Sequence, residues 1–599
     1  MNVEDMKMRT FLLIGAFLCS SMVFAQSEQL AKSYYDKGMF EKALISYQKL
    51  YANNLGNSNY FFRIIEIHQQ LEQLDEAEQL LLEKIQVTGN PHYFVELGYN
   101  FQLRNDEVKA REYYDLAKQG IEEKPVYAYY VARRFEEHAL IDDAAQVYER
   151  AMELRPESNY NMQLARIYGE QGKVEKMFRS FLDFVEMNVT YVNYAKRSFS
   201  EYISENGDDE NNKILRQVLL KKIQEQPNIM WNEMLSWLFI QQRDYRKAFA
   251  QEKAIYNRQK ETLRGLIDLA VITMEENDTE TSFEILDYLI ENASDIETIL
   301  ESHKNKLELQ TKLASPKDLK DIQESYLVLF DTYGLQAPTA NLQLSYGHFI
   351  AFHLEQPDEA IEFLKSTLNN GLSKFQQAKI KLKLGDILVF QEKFNQALIY
   401  FSQIQESLKN STLAQEARFK VAKTSYYKGD FRWAETQLKI LKSSTSQLIA
   451  NDALDLKLLI SDNKWEDSTQ TALKLYAKAD LFAYQNKTVD AIALLDQILE
   501  SHKTESIVDQ ALLQQARLYE AQKAYEKAEA NYLQIIENYR EDILADDAYF
   551  GLAELYVKYL NKPEKAQELY EQIIFNYADS IYFVEARKKY RALRGDAIN

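Results

Sequence analysis

Short polar turns along the chain alternate with stretches in which apolar residues return at helical spacing, and one small residue keeps step with that alternation. Ala43, Ala77, Ala110 and Ala144 stand 34, 33 and 34 residues apart. Charged turns such as Phe40-Glu41-Lys42, Leu74-Asp75-Glu76 and Ile141-Asp142-Asp143 lead into them. Tyr47, Leu81, Tyr114 and Tyr148 follow by four residues, on the same helical face as the alanines. A period near 34 made of two helices predicts a stacked solenoid, each unit burying its apolar face against its neighbours, rather than one closed globule.

Twelve residues before the alanine stand Ala31, Gly98 and Ala132, with Tyr34, Phe101 and Phe135 three residues further on. The second copy departs, with Ile65 and His68 in these positions, and a fifth has Ala165 and Tyr168 but Met177 in place of the alanine. On these residues the chain resembles the tetratricopeptide repeat (TPR) family, whose pattern asks for small side chains where two helices approach closely. The resemblance implies an all-α fold, a TPR-type α-solenoid in which helix-turn-helix repeats form a superhelix. It also implies a concave groove, lined mainly by the first helix of each repeat, that receives an extended peptide or a partner helix.

The C-terminal part repeats with a longer unit: Ala360, Ala397 and Ala434 are 37 apart, and Ala491, Ala528 and Ala566 are 37 and 38 apart. The gap of 57 between Ala434 and Ala491 predicts one added helix within Gln447 to Ile460. Seven residues after five of these six alanines the side chain is large: Ile404, Leu441, Ile498, Ile535 and Ile573. With Ile535-Ile536-Glu537-Asn538-Tyr539 and Ile573-Ile574-Phe575-Asn576-Tyr577, this block is similar to TPRs of bacterial envelope proteins, such as the coordinator of the Tol-Pal system and the outer-membrane-assembly lipoproteins. Arg540 and Ala578 stand where that class has proline. Between the blocks, Ala248 with Ser236 and Ser282 with Ala270 keep the spacing of twelve, so eroded repeats are expected to continue. The expected organisation is a signal peptide over 1–25, N-terminal TPR repeats over 26–190, divergent helical repeats over 191–340, and C-terminal TPR repeats with a capping helix over 341–599. One continuous superhelix is expected, weakest at Asn206-Gly207-Asp208-Asp209, Ala314-Ser315-Pro316 and Gly334-Leu335-Gln336-Ala337-Pro338, where breakers cluster.

Composition supports helices: 17 Gly and 8 Pro in 599 residues leave little for sheet turns, while 40 Tyr and 30 Phe supply bulky knobs. A net charge of −20 without long like-charged runs excludes the basic footprint that nucleic acid needs, and docking by charge on an anionic membrane. Lys7 and Arg9 precede an apolar run from Phe11 to Leu18, and Val23-Phe24-Ala25 offers small residues for cleavage before Gln26. That run is too short to span a bilayer, so the mature chain is expected without a transmembrane segment, in a bacterial periplasm first and at an outer membrane or cell surface second. Cys19 offers a lipid site, but Leu18 occupies the position where a lipoprotein signal wants Gly, Ala or Ser. Cleavage after Ala25 leaves a mature chain without cysteine.

Motifs for hydrolases or nucleotide enzymes are absent: there is no His-Glu-x-x-His, phosphate loop or Gly-x-Ser-x-Gly elbow. No catalytic, cofactor-binding or metal-ligating residue is assigned. The spacing of His348 and His353 places them on different helical faces, and acid pairs such as Asp142-Asp143, Asp208-Asp209 and Asp546-Asp547 suit helix starts. The basic stretch Glu585 to Arg594 reads as a helix closing the solenoid. In the register implied by the TPR resemblance, Tyr99, Tyr129, Arg133 and Arg166 face the groove on neighbouring repeats, where the two arginines would favour an acidic partner segment unless adjacent acids such as Glu136 or Glu170 hold them. The expected function is a non-catalytic scaffold or adaptor of the cell envelope that binds a protein or peptide and no nucleic acid. The alternative is a glycan- or small-ligand-binding component of an outer-membrane uptake system.

Overall fold

A computed structural model describes residues 27–441, 446–464 and 470–596. The expected signal peptide over 1–25, with Cys19 and the cleavage site after Ala25, lies outside the described residues. Among the described residues there is no strand, and consecutive helices pair as hairpins across short turns. The chain divides into two compact units, Met1–Gln242 and Arg243–Asn599.

In the first unit, hairpins are formed by His92–Leu103 with Glu107–Glu123, Ala128–Glu137 with Ile141–Leu154, and Asn161–Glu170 with Val174–Met187. The recurring alanines sit where the paired helices touch: Ala43, Ala77 and Ala144 have no exposed surface, and Met177, in the fifth copy, is equally buried. Gly98 shows why the facing position is small. A Cβ there would lie 2.5 Å from the ring of Tyr114, the large residue four after Ala110. The tyrosines at that position also tie each hairpin together, the Tyr114 hydroxyl donating to Gln102 at 2.7 Å and the Tyr148 hydroxyl to Glu136 at 3.2 Å. Ile65 and His68, which depart from the pattern, are buried all the same, and His68 Nδ1 is 2.8 Å from Gln73.

A backbone feature recurs at the hairpins that carry the alanine slot. Five residues before each alanine-slot residue the chain turns through a left-handed conformation, at Gly38, Glu72, Asn105, Ala139 and Gly172 in the first unit. In the second it does so at Arg243, Asn277, Glu355, Glu392, Gly429, Asn486, Lys523 and Asn561. Arg243 and Asn277 lie five before Ala248 and Ser282, so the eroded copies keep the turn after their sequence signal has faded.

The second unit contains the hairpins Lys374–Phe390 with Phe394–Ser407, Thr412–Tyr427 with Phe431–Leu441, Thr471–Tyr484 with Thr488–Ser501, Val508–Ala521 with Tyr525–Asn538, and Ala545–Lys558 with Pro563–Asn576. Ala360, Ala397, Ala434, Ala491, Ala528 and Ala566 are all fully buried, as are Ile404, Ile498, Ile535 and Ile573 seven residues after their alanines. The added helix is present, and at Gln447–Asn463 it runs one turn past the expected Ile460. The stack is nonetheless continuous around it. From the helix that follows, Lys478 reaches Glu392 at 2.6 Å and the Gln485 side chain donates to the Phe390 carbonyl at 2.7 Å. Lys423, on the intervening hairpin, also meets Asp480 of that helix at 2.6 Å. The basic helix Phe583–Arg594 closes the unit, with Lys589 on Glu554 at 2.9 Å.

Candidate partner-binding grooves

The first helices of three successive hairpins in the N-terminal unit, Ala128–Glu137, Asn161–Glu170 and Val192–Ser200, border a cavity of about 940 Å³. Tyr129, Arg133 and Arg166 line it, together with Tyr194 and, from the second helices, Tyr148 and Phe181. The Tyr129 and Tyr194 rings remain 40% and 50% exposed, so each presents a large apolar face to whatever enters. Tyr99 does not line this cavity. Its ring stacks on His138 at 3.8 Å, and His138 in turn lies 3.0 Å from Glu96, a fully buried carboxylate that Arg134 also contacts at 3.2 Å. Although burial alone would raise the pKa of Glu96, His138 and Arg134 pull it below the usual carboxylate value.

Neither arginine of the cavity is available as a lone cation. Arg133 Nε donates to Glu137 at 3.1 Å, and Arg166 pairs with Glu136 of the preceding repeat. Burial holds the Glu136 carboxyl above its ordinary pKa against the pull of Arg166. Glu170 and Glu201 also line the cavity, so its carboxylates outnumber its guanidinium groups. The expected preference for an acidic segment does not survive this geometry: the pairing of Arg166 with Glu136 removes its physical basis.

A second groove, of about 800 Å³, lies in the C-terminal unit and went unnoticed in the sequence. The first helices of the repeats supply its floor, through Lys423, Tyr476, Asp480 and Arg517, while the added helix Gln447–Asn463 forms one wall with Asp452, Asp455, Leu456, Leu459 and Asp462. Asp452, Asp455, Leu459 and Asp462 recur at steps of three or four along that helix, which is the signal a reading of helical faces could have found. Asp546, Asp547, Ile543, Ile581 and Tyr582 complete the lining. Lys423 is held by Asp480 and Arg517 by Asp547 at 2.9 Å, which leaves the remaining aspartates without a cation within ion-pair distance among the described residues. Burial, and then the charge of Asp452, push the Asp455 carboxyl above its usual pKa.

His348 and His353 come closer than their spacing suggests, with ring centroids 5.7 Å apart, because the helix ends at Phe352 and His353 belongs to its terminus. Lys383 Nζ lies 3.3 Å from His348 Nδ1, and burial lowers the His348 pKa to about 4. No group of three or more metal-ligating side chains occurs among the described residues. Of the acid pairs, Asp209 caps the helix Glu210–Glu225, and Asp143 is buried between Arg111 and Lys118 at 2.9 Å from each.

Residues 476–543 match a family described as tetratricopeptide repeat, and residues 547–580 match a second family of the same description. No curated protein matches the chain. Among solved structures the chain is similar to "Structure of Naa15/Naa10 bound to HypK-THB", with 12% identity over 96% of this chain and 94% of that one and a TM-score of 0.30. It is also similar to "Crystal structure of APC/C hetero-tetramer Cut9-Hcn1", with 11% identity over 97% of this chain and 98% of that one and a TM-score of 0.21. The hairpins within residues 476–580 match TPR repeats, and the fold is all-α, of the TPR-type solenoid. No helix among the described residues is long and apolar enough to cross a membrane.

Proposed function

We propose that this chain is a non-catalytic scaffold or adaptor of a bacterial cell envelope, which holds a partner protein or peptide against the concave faces of its repeats. The observation that carries the reading is the N-terminal cavity. Tyr129 and Tyr194, of a residue type that dominates interface energetics, reach it from different first helices and stay 40% and 50% exposed. The TPR repeats of residues 476–580 support a protein partner, since stacked repeats of this kind create extended concave surfaces. The envelope location is the sequence reading alone: Lys7, Arg9 and the apolar run to Leu18 are laid out as a leader ending at Ala25.

The test is purification of the tagged chain from envelope extract of its host, comparing wild type with a Tyr129→Ala/Tyr194→Ala variant. The tyrosines are chosen because a charge change at Arg166 would disturb Glu136 and, through it, the Tyr148 hydroxyl. A stoichiometric protein that wild type retains and the variant loses is expected. A bound saccharide with no protein partner would overturn the scaffold and favour the glycan-binding alternative. Intact-mass measurement of the same preparation is expected to show an N-terminus at Gln26; a diacylglycerol on Cys19 would place the chain on a membrane instead.

A further inference from the structure

The C-terminal groove carries a charge pattern that no ion pair neutralises among the described residues. Asp452 and Asp455 are exposed, one turn apart on the added helix, and like charges at that spacing oppose helix formation. Asp462 extends their row and Asp546 faces them from another helix. The cations of the groove, Lys423 and Arg517, are already taken by Asp480 and Asp547. Apolar surface stands beside this charge: Ile543 is 70% and Ile581 85% exposed at the lining of the groove.

An independent feature of the floor points the same way. The Tyr476 ring is 8% exposed and lines the groove, yet no hydrogen bond reaches its hydroxyl among the described residues. The hydroxyl is not sealed in the core, as that of Tyr426 is, and so stays reachable from the groove. Here the open side of the groove is where a partner could approach.

We propose that the groove between the added helix Gln447–Asn463 and the first helices of the C-terminal repeats is a docking site for a protein segment that carries lysine or arginine beside large apolar side chains. The cations meet Asp452, Asp455, Asp462 and Asp546, the apolar side chains cover Ile543 and Ile581, and a polar group of the segment bonds to the Tyr476 hydroxyl. This site shares with the scaffold reading the premise that the chain binds protein, and it uses none of the side chains of the N-terminal cavity.

The experiment titrates the full mature chain into a fluorescein-labelled amphipathic peptide of lysine and leucine at helical spacing, followed by anisotropy at physiological salt. Binding on the order of 10–100 μM is expected for wild type, with an Asp452→Asn/Asp455→Asn variant weaker by about tenfold and Tyr476→Phe weaker by about threefold. A matched variant, Asp75→Asn/Asp208→Asn, has the same net charge, removes carboxylates that are 93% and 92% exposed in the other unit, and is expected to bind like wild type. Equal weakening by both pairs would reduce the effect to the diffuse attraction of a chain of charge −20 and overturn the site. Equal binding of the peptide with glutamate for lysine, or no binding of the lysine peptide, would also overturn it. Retention of the envelope partner by the Asp452/Asp455 variant, with loss in the Tyr129/Tyr194 variant, separates failure here from failure of the scaffold reading.

Discussion

Replacing Gly385 by alanine should destabilise the C-terminal unit, although helix propensity alone favours the change. A Cβ at Gly385 would lie 2.3 Å from Cε1 and 2.4 Å from Cζ of Phe401, the large residue four after Ala397, where ordinary contact begins more than 1 Å further out. Phe401 is fully buried, so its ring has no solvent into which to swing. Overpacking of this kind costs about 1–3 kcal/mol, and the gain from replacing glycine inside a helix offsets at most about 1 kcal/mol. A net loss of about 1–2 kcal/mol is expected. Phe401→Leu makes room at the point of collision, so the Gly385→Ala penalty in that background should shrink by about 1 kcal/mol or more, a coupling that a double-mutant cycle measures directly. Because stacked repeats need not unfold in one step, the appropriate readout is native-state hydrogen exchange resolved to the helices Lys374–Phe390 and Phe394–Ser407. Slower exchange in Gly385→Ala, or an unchanged penalty in the Phe401→Leu background, would refute the argument.

The same geometry gives three further expectations. Leucine at Ala397 or Ala528, both fully buried between helices, should cost about 1–3 kcal/mol and raise hydrogen exchange in the adjacent repeats only; uniform loss of protection across the unit would contradict the stacked architecture. Ala139 is exposed and holds φ at 57°, so Ala139→Gly should stabilise its hairpin by about 0.5–1 kcal/mol in local exchange or melting, whereas destabilisation would mean that the turn is not strained. Burial lowers the His92 pKa from 6.5 to about 4, so the unfolded state binds the extra proton first and stability falls as pH drops through that window, by about 3 kcal/mol at most. Melting curves of wild type and His92→Phe between pH 7 and pH 4.5 should diverge in that sense, and parallel curves would refute it.

The alanine row made the hairpins legible because close helix approach constrains residue size at a fixed offset, and size is visible in a sequence. Where that constraint was relaxed, as at Met177 and Ser282, the position stayed buried, and the left-handed turn five residues earlier kept the repeat in register. Gly38, Asn105, Gly172, Asn277, Gly429, Asn486 and Asn561 occupy that turn with residue types that tolerate it, a pattern open to a reader of the sequence. Glu72, Ala139, Arg243, Glu355, Glu392 and Lys523 occupy it without such a preference, which hides the period. The grooves were less legible. Register placed Tyr129, Arg133 and Arg166 around one cavity, but the ion pairs of the arginines depend on which acids the neighbouring repeat brings within reach, and Tyr99 was drawn to His138 by a buried ion cluster. Asp452, Asp455 and Asp462 of the C-terminal groove share one helix and a readable spacing, but Asp480, Asp546 and Asp547 come from other segments, so no local pattern announces that they meet.

The bonds from Lys478 and Gln485 back to Glu392 and Phe390 join layers of the C-terminal unit without passing through the helix Gln447–Asn463. Continuity of the solenoid and the shape of its groove are therefore assigned to different stretches of chain. Substitutions on the exposed aspartate row of that helix can alter what the groove accepts while the layers beneath keep their own contacts. The inner face of the helix is fixed, since Ala453, Leu456 and Ile460 are buried in the core of the unit, so the freedom to vary lies in its outer, aspartate-bearing face alone.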